Sequence, residues 1–245
     1  MTRPRQIVAF GGGGFSMEAG NPLLDDYVLG LAAAAGRDRP RVCFLPTASG
    51  DADHYVVRFY RHFPASRCDP SHVSLFRRDR GVADVRAHLL EQDLVYVGGG
   101  SVISLLGVWR AHGVDLALRE AWEAGVVMAG LSAGSLCWFA EAMSGYHGDC
   151  ARVAGMGFLP CSNAVHYDKE PRRRRAFHAA VLDGMRGGYA AEDGAALHFV
   201  GEELARVVTS RREARAYRVD AAAGEVVELP LAATYLGAAE PVLVG

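Results

Sequence analysis

Gly125-Val126-Val127-Met128-Ala129-Gly130-Leu131-Ser132-Ala133-Gly134-Ser135 passes from an apolar run into a turn rich in small residues. Its apolar half is too short and too β-branched for a helix and reads as a buried strand. It runs into Gly130-Leu131-Ser132-Ala133-Gly134, a G-x-S-x-G pattern, after which Leu136, Cys137, Phe139 and Ala140 recur at helical spacing. Strand, glycine-flanked turn, serine and helix are together the setting of a nucleophile elbow. Small neighbours let the backbone turn sharply enough to hold the Ser132 hydroxyl out. The free N–H groups at the start of the new helix then point at any negative charge that develops beside it. The same residues also fit a glycine-rich strand-to-helix turn that merely contains a serine, so the rest of the chain has to separate the two.

One unit upstream, Asp93-Leu94-Val95-Tyr96-Val97 reads as a strand ending on Gly98-Gly99-Gly100-Ser101, and a helix opens at once with Val102, Ile103, Leu105 and Leu106. Three glycines leave bare backbone N–H groups at the end of that strand. At the start of the chain, Gln6 to Phe10 is a short apolar run closed by Gly11-Gly12-Gly13-Gly14. A dinucleotide fingerprint needs a third glycine where Ser16 and Met17 stand, and no acidic ribose ligand follows, so this loop reads as a place of close backbone approach. Between these runs the sequence predicts a helix opening at Asn21-Pro22, a strand over Arg41–Pro46, a helix over Asp53–Phe63, a strand over Val73–Phe76 and a helix over Val82–Leu90. The alternation implies an α/β fold: a doubly wound, mostly parallel sheet with helices on both faces. Ligands in such sheets bind beyond the C-terminal ends of the strands, where both glycine loops lie.

Downstream of Ser132 the helix is expected to run to about Met143. A polar loop, Ser144–Asp149, and a further loop over Gly155–Pro160 follow. Ser162–Asp168 reads as a short strand ending in polar groups, and a basic helix is expected from Glu170 to about Met185. The tail is strand-rich: Ala195–Val200, Leu204–Val208, and a hairpin of Tyr217–Val219 with Val226–Leu229 about Ala223-Gly224. No repeat, low-complexity tract or linker interrupts residues 1–245, which read as a single domain.

The bulk numbers exclude several classes. Half of the 245 residues are hydrophobic, enough to cover both faces of a sheet, and the net charge of −2 gives no reason to expect nucleic acid or a membrane as partner. No run approaches the ~18 apolar residues of a membrane span, and the first residues do not read as a signal peptide. Five cysteines without a C-x-x-C pair point to reduced thiols and a cytoplasmic protein. No His/Cys/Asp/Glu set has metal-ligand spacing, so neither metal nor cofactor is expected.

A serine nucleophile needs a base, and the base an orienting group. Of nine histidines, His166 stands out because it ends a strand beyond Ser132 among polar residues. His54, His62, His72, His88, His112 and His178 fall on helices or early loops and read as solvated side chains. His147 sits in a loop that is a candidate neighbour of the site, and His198 reads as packed within a strand. Cys137 falls inside the helix rather than at the turn and reads as a packed thiol.

Val97-Gly98-Gly99-Gly100-Ser101, then Gly130 to Phe139, then Val165-His166-Tyr167-Asp168 resemble the peptidase E family in order and spacing. These are the S51 serine peptidases, which include aspartyl dipeptidases and, more distantly, cyanophycinase. The resemblance implies a three-layer fold like that of the class I glutamine amidotransferases, with a serine at the elbow. It implies Ser132 as nucleophile, His166 as base, and the N–H groups of Gly100 and Ala133 as oxyanion hole, with Gly99 beside the substrate. For the third catalytic group it points to Asp149, in the loop after the elbow helix, with Glu141 as the alternative. An arginine after the base is associated in the family with an N-terminal aspartate. The run Lys169–Arg175 offers Arg172, Arg173, Arg174 and Arg175, with Arg172 and Arg175 taken as the substrate-binding candidates. The family further implies a homodimer and a short peptide substrate.

The sequence is compatible with three functions. The first is a serine peptidase that releases N-terminal residues through an acyl-enzyme. The second is an α/β-hydrolase esterase, whose histidine falls later in the chain, as His198 does. The third is a non-catalytic amidotransferase-like binding domain.

Overall fold

The short apolar runs of the first half form the parallel part of one sheet: β1 (Gln6–Phe10), β2 (Arg41–Leu45), β3 (Asp69–His72), β4 (Leu94–Val97) and β5 (Val127–Leu131). This computed structural model describes residues 3–34, 36–77, 82–169 and 171–238. Three later strands, β10 (Ala195–Val200), β11 (Glu203–Thr209) and β14 (Ala233–Tyr235), complete the eight-stranded order β14-β11-β10-β1-β5-β4-β2-β3. β10 runs antiparallel to both β1 and β11, while the neighbours from β1 to β3 are all parallel.

Alternate residues of one strand enter opposite cores, as the two-residue period of a strand requires. Val8 and Phe10 pack with Phe15, Phe44, Phe59 and Tyr96 on one face. Ile7 and Ala9 pack with Trp109, Leu118, Trp122 and Met128 on the other. Helices α1 (Gly14–Met17), α2 (Leu23–Ala33) and α3 (Asp53–His62) supply the first face. Helices α4 (Val85–Leu90), α5 (Val102–His112) and α6 (Val114–Glu123) supply the second. The architecture is thus the three-layer, doubly wound α/β sheet that the alternation implies.

The structure departs from the expected elements after Ser132 and at the third strand. The helix after Ser132 is a single turn, α7 (Ala133–Leu136), and Phe139–Ser144 is strand β6. With β7 (Ala151–Ala154), β8 (Leu159–Ala164), β9 (Gly188–Ala191), β12 (Ala216–Ala222) and β13 (Glu225–Pro230) it builds a second sheet, ordered β13-β12-β9-β8-β6-β7. Pairing on both sides of β6 outweighs the helix preference of Ala140, Glu141, Ala142 and Met143. The third strand is Asp69–His72 rather than Val73–Phe76. It is an edge strand that tolerates Pro70, while Leu75 and Phe76 donate their N–H groups to the Asp51 carboxylate in the turn beyond it. The basic helix is α8 (Pro171–Leu182); Glu170, where the sequence places its start, lies outside the described residues.

His198, on β10, is 4% exposed and hydrogen-bonds the Tyr27 hydroxyl (2.6 Å) and Gln6 Oε1 (3.0 Å). Burial, helped by the Arg206 charge, pulls its pKa from 6.5 down to about 4. Below pH 6.5 the unfolded chain takes up a proton that the fold excludes. Stability therefore falls as pH drops from about 6.5 to about 4 and levels off below that. Discounted for residual solvent screening, the loss is roughly 2 kcal/mol. Urea midpoints at pH 7.5 and 4.5 check this, and the gap between them is expected to narrow in His198→Gln.

Candidate active site

Ser132 sits between β5 and α7 with φ +54° and ψ −116°, a conformation rare for a residue with a side chain and costing of order 1–3 kcal/mol. The surroundings impose it. A Cβ on Gly130 would lie 2.3 Å from the Gly134 carbonyl oxygen, and one on Gly134 would lie 2.3 Å from that of Val97. Both flanking glycines are therefore required, the first so that the turn closes on itself and the second so that it closes on β4. The Ser132 carbonyl accepts from the N–H groups of Ser135 and Leu136, both at 2.9 Å, which fixes the one-turn helix.

The Gly98–Gly100 loop lies against this elbow. A Cβ on Gly99 would sit 3.3 Å from the Ser132 Cβ, and one on Gly100, where φ is +139°, would sit 2.1 Å from the Ala48 carbonyl oxygen. The Gly99 N–H donates to the Tyr55 hydroxyl (3.1 Å), and the Ser101 N–H to the Ala48 carbonyl (2.9 Å), so the loop is pinned at two points. The Ser101 hydroxyl caps α5 and meets His147 Nε2 at 2.9 Å. Among the described residues, no acceptor takes the N–H of Gly100 or of Ala133. Both residues line the cleft that contains Ser132.

His166 lies just past β8 with φ +53°, its N–H bonded to the Gly11 carbonyl at 3.0 Å. Its Nδ1 is 2.6 Å from Oδ1 of Asp193, whose side chain is fully buried. The Asp193 N–H donates to Asp168 Oδ1 (2.9 Å), and Lys169 Nζ is 3.5 Å from Asp193 Oδ2. Burial works against ionisation of Asp193. The hydrogen bond and charge of His166, with the charges of Lys169 and Arg211, outweigh it and hold the carboxyl below its usual range. An ionised Asp193 accepts from Nδ1–H and leaves Nε2 as the free basic nitrogen. His166 and Ser132 line the same cleft.

The carboxylate against His166 is therefore Asp193, not Asp149 or Glu141. Asp149 is exposed in the loop between β6 and β7. Glu141, on β6, is held by the Arg152 guanidinium (2.7 Å) and the Arg186 N–H (2.8 Å). The resemblance places Asp149 in a loop after an elbow helix, and here that helix is one turn followed by β6. Asp193 arrives in the turn between β9 and β10, paired as an isolated bridge with Gly12. The glycine run after β1 is the sequence signal that bears on it. A Cβ on Gly12 would lie 2.0 Å from Asp193 Oδ1 and 2.8 Å from His166 Nδ1, so Gly12 leaves the space that the His–Asp pair fills.

The four consecutive arginines of α8 have different surroundings. Arg173 lines the cleft, its guanidinium against Gly145, whereas Arg172 and Arg175 are exposed and do not line it. Arg174 pairs with Glu228 and lies over the rings of Tyr167 and Tyr217. On the opposite side, His54, Tyr55 and Arg58 of α3 line the cleft, with Ser16, Met17 and Tyr146. His54 is exposed, as the sequence reading expects, and also lines the cleft. Cys137 is buried, which pushes its thiol far up, and its S–H faces the Gly134 carbonyl. Among the described residues no three His, Cys, Asp or Glu side chains are grouped to hold a metal ion, and no helix is long and apolar enough to cross a membrane.

The fold and site together define an α/β protein with a serine elbow, a histidine backed by a buried aspartate, and a glycine loop at one sheet edge. The profile of peptidase family S51 matches residues 7–207, and the chain belongs to that family and is a peptidase. It is 47% identical over 234 residues to the uncharacterized peptidase YgaJ of Bacillus subtilis (strain 168), covering 95% of this chain and 100% of that one. The crystal structure of a peptidase from an acI-B1 Actinobacterium shares the fold with a TM-score of 0.68 at 16% identity, over 95% of this chain and 96% of that chain. A putative peptidase E from Listeria monocytogenes EGD-e does so with a TM-score of 0.55 at 16% identity, over 85% and 98% respectively.

Proposed function

We propose that the protein is a serine peptidase that releases N-terminal residues from dipeptides or short peptides through an acyl-enzyme on Ser132. The observation that carries this reading is the strained Ser132 elbow sharing a cleft with His166, itself held at 2.6 Å by buried Asp193. In this mechanism Nε2 of His166 takes the Ser132 proton as Oγ attacks the scissile carbonyl. The Gly100 and Ala133 N–H groups receive the oxyanion. The imidazolium then protonates the leaving amine, and water, deprotonated by the same histidine, releases the acyl part. Asp193 orients the ring and stabilises its charged form.

Arg173 at the cleft supports a carboxylate on the acyl part, hence an N-terminal aspartate, because a guanidinium matches a carboxylate with two parallel hydrogen bonds. The packed position of His198 beside Tyr27 and Gln6 speaks against the esterase reading, in which the later histidine is the base. Peptides with acidic, neutral and basic N-terminal residues, assayed with Ser132→Ala as control, test the function. The expected result is turnover that favours Asp-X by about tenfold or more and falls toward the neutral level in Arg173→Gln. Equal turnover of all N-terminal residues would remove the aspartate preference.

A further inference from the structure

Two pockets meet at Ser132 and His166, with Gly100 and Tyr146 lining both. The smaller, about 110 Å³, extends past Ala133 and Leu136 to Arg173. The larger, about 340 Å³, extends the other way, past Leu131 and Tyr55 to His54 and Arg58. A scissile bond held at Ser132 thus has its acyl part in one pocket and its leaving amine in the other.

His54 and Arg58 are four residues apart on α3, so they share a face of the helix. Arg58 uses Nη1 on the Ser16 carbonyl, which leaves most of its five N–H donors for another partner. Among the described residues, no Asp or Glu lines either pocket. A guanidinium beside a cleft whose described lining holds no carboxylate suits an anionic ligand.

We propose that Arg58, supported by His54, binds the free α-carboxylate of the leaving residue, making this a second carboxylate subsite across the nucleophile from Arg173. This rests on the reading of Ser132 as nucleophile. The substrate class is then a dipeptide acidic at both ends, with one carboxylate on the acyl side chain and the other at the C-terminus. Blocking the C-terminal carboxylate removes a charge-assisted hydrogen-bonded pair without touching the scissile bond.

The test compares Asp-Leu with Asp-Leu-amide on the full chain. The wild type is expected to favour the free acid in kcat/KM by about 10- to 100-fold, mainly through KM. Arg58→Gln is expected to reduce that ratio to within about threefold, and Arg58→Lys to recover part of it as a point charge. A melting curve for each variant shows that it is folded. A wild type indifferent to the amide, or an Arg58→Gln variant that keeps the full ratio, overturns the proposal. If the wild type turns over neither peptide, calorimetry on Ser132→Ala decides. Tighter binding of the acid that Arg58→Gln removes upholds the subsite while the peptidase reading of Ser132 falls, and equal binding of acid and amide overturns the subsite.

Discussion

Replacing Ser132 by alanine is expected to lower kcat by about a million-fold, the loss seen when a serine-protease triad loses its nucleophile. The Gly100 and Ala133 N–H groups and the cleft remain, and such a remnant retains about 10³- to 10⁴-fold over water. The fold is expected to persist. Alanine meets φ +54° with no more hindrance than serine, and the Ser132 hydroxyl makes no hydrogen bond that holds the turn. Steady-state kinetics and a melting curve on the same preparation check both parts. A large loss of kcat at an unchanged melting temperature is the expected pair of results.

Asp193→Asn is expected to lower kcat by about 10⁴-fold at neutral pH. The amide matches the carboxylate in shape, so His166 stays in place, but it offers an N–H to Nδ1 and favours the tautomer whose proton sits on Nε2. A ring protonated there cannot accept from Ser132. The substitution also removes the charge that stabilises the imidazolium, in a site where Asp193 is fully buried and 2.6 Å away. Asp149→Asn is expected to stay within about twofold, as surface substitutions do, because Asp149 is exposed in the β6–β7 loop. Parallel kcat measurements on the two variants distinguish the buried carboxylate from the exposed one.

Legibility in the sequence follows the range of the interactions. The elbow, the Gly98–Gly100 loop and His166 are readable because each belongs to a local strand–turn pattern of a few residues. Gly130 and Gly134 are dictated by contacts within that unit or with the adjacent strand. Asp193 is not readable, because it reaches His166 across 27 residues and through a second sheet whose pairing leaves no period in the sequence. That sheet is itself hidden at β6, where Ala140-Glu141-Ala142-Met143 has the composition of a helix and only the partners β7 and β8 make it a strand. The choice among four consecutive arginines turns on helix phase. Arg173 faces the cleft and Arg174 faces Glu228, a difference of about 100° per residue that an unknown helix start conceals. His54 and Arg58 lie in a stretch that reads in the sequence only as a helix, and they become a site only when α3 is packed beside the Ser132 cleft.

The role proposed for Ser132 is that of a nucleophile activated by His166. A fluorophosphonate, which reacts with activated serines, followed by intact-mass measurement and peptide mapping, tests it most directly. One adduct is expected, on the peptide carrying Ser132, appearing in step with loss of peptidase activity, absent from Ser132→Ala and forming far more slowly in Asp193→Asn. An adduct on another residue, or full peptidase activity in Ser132→Ala, would contradict it.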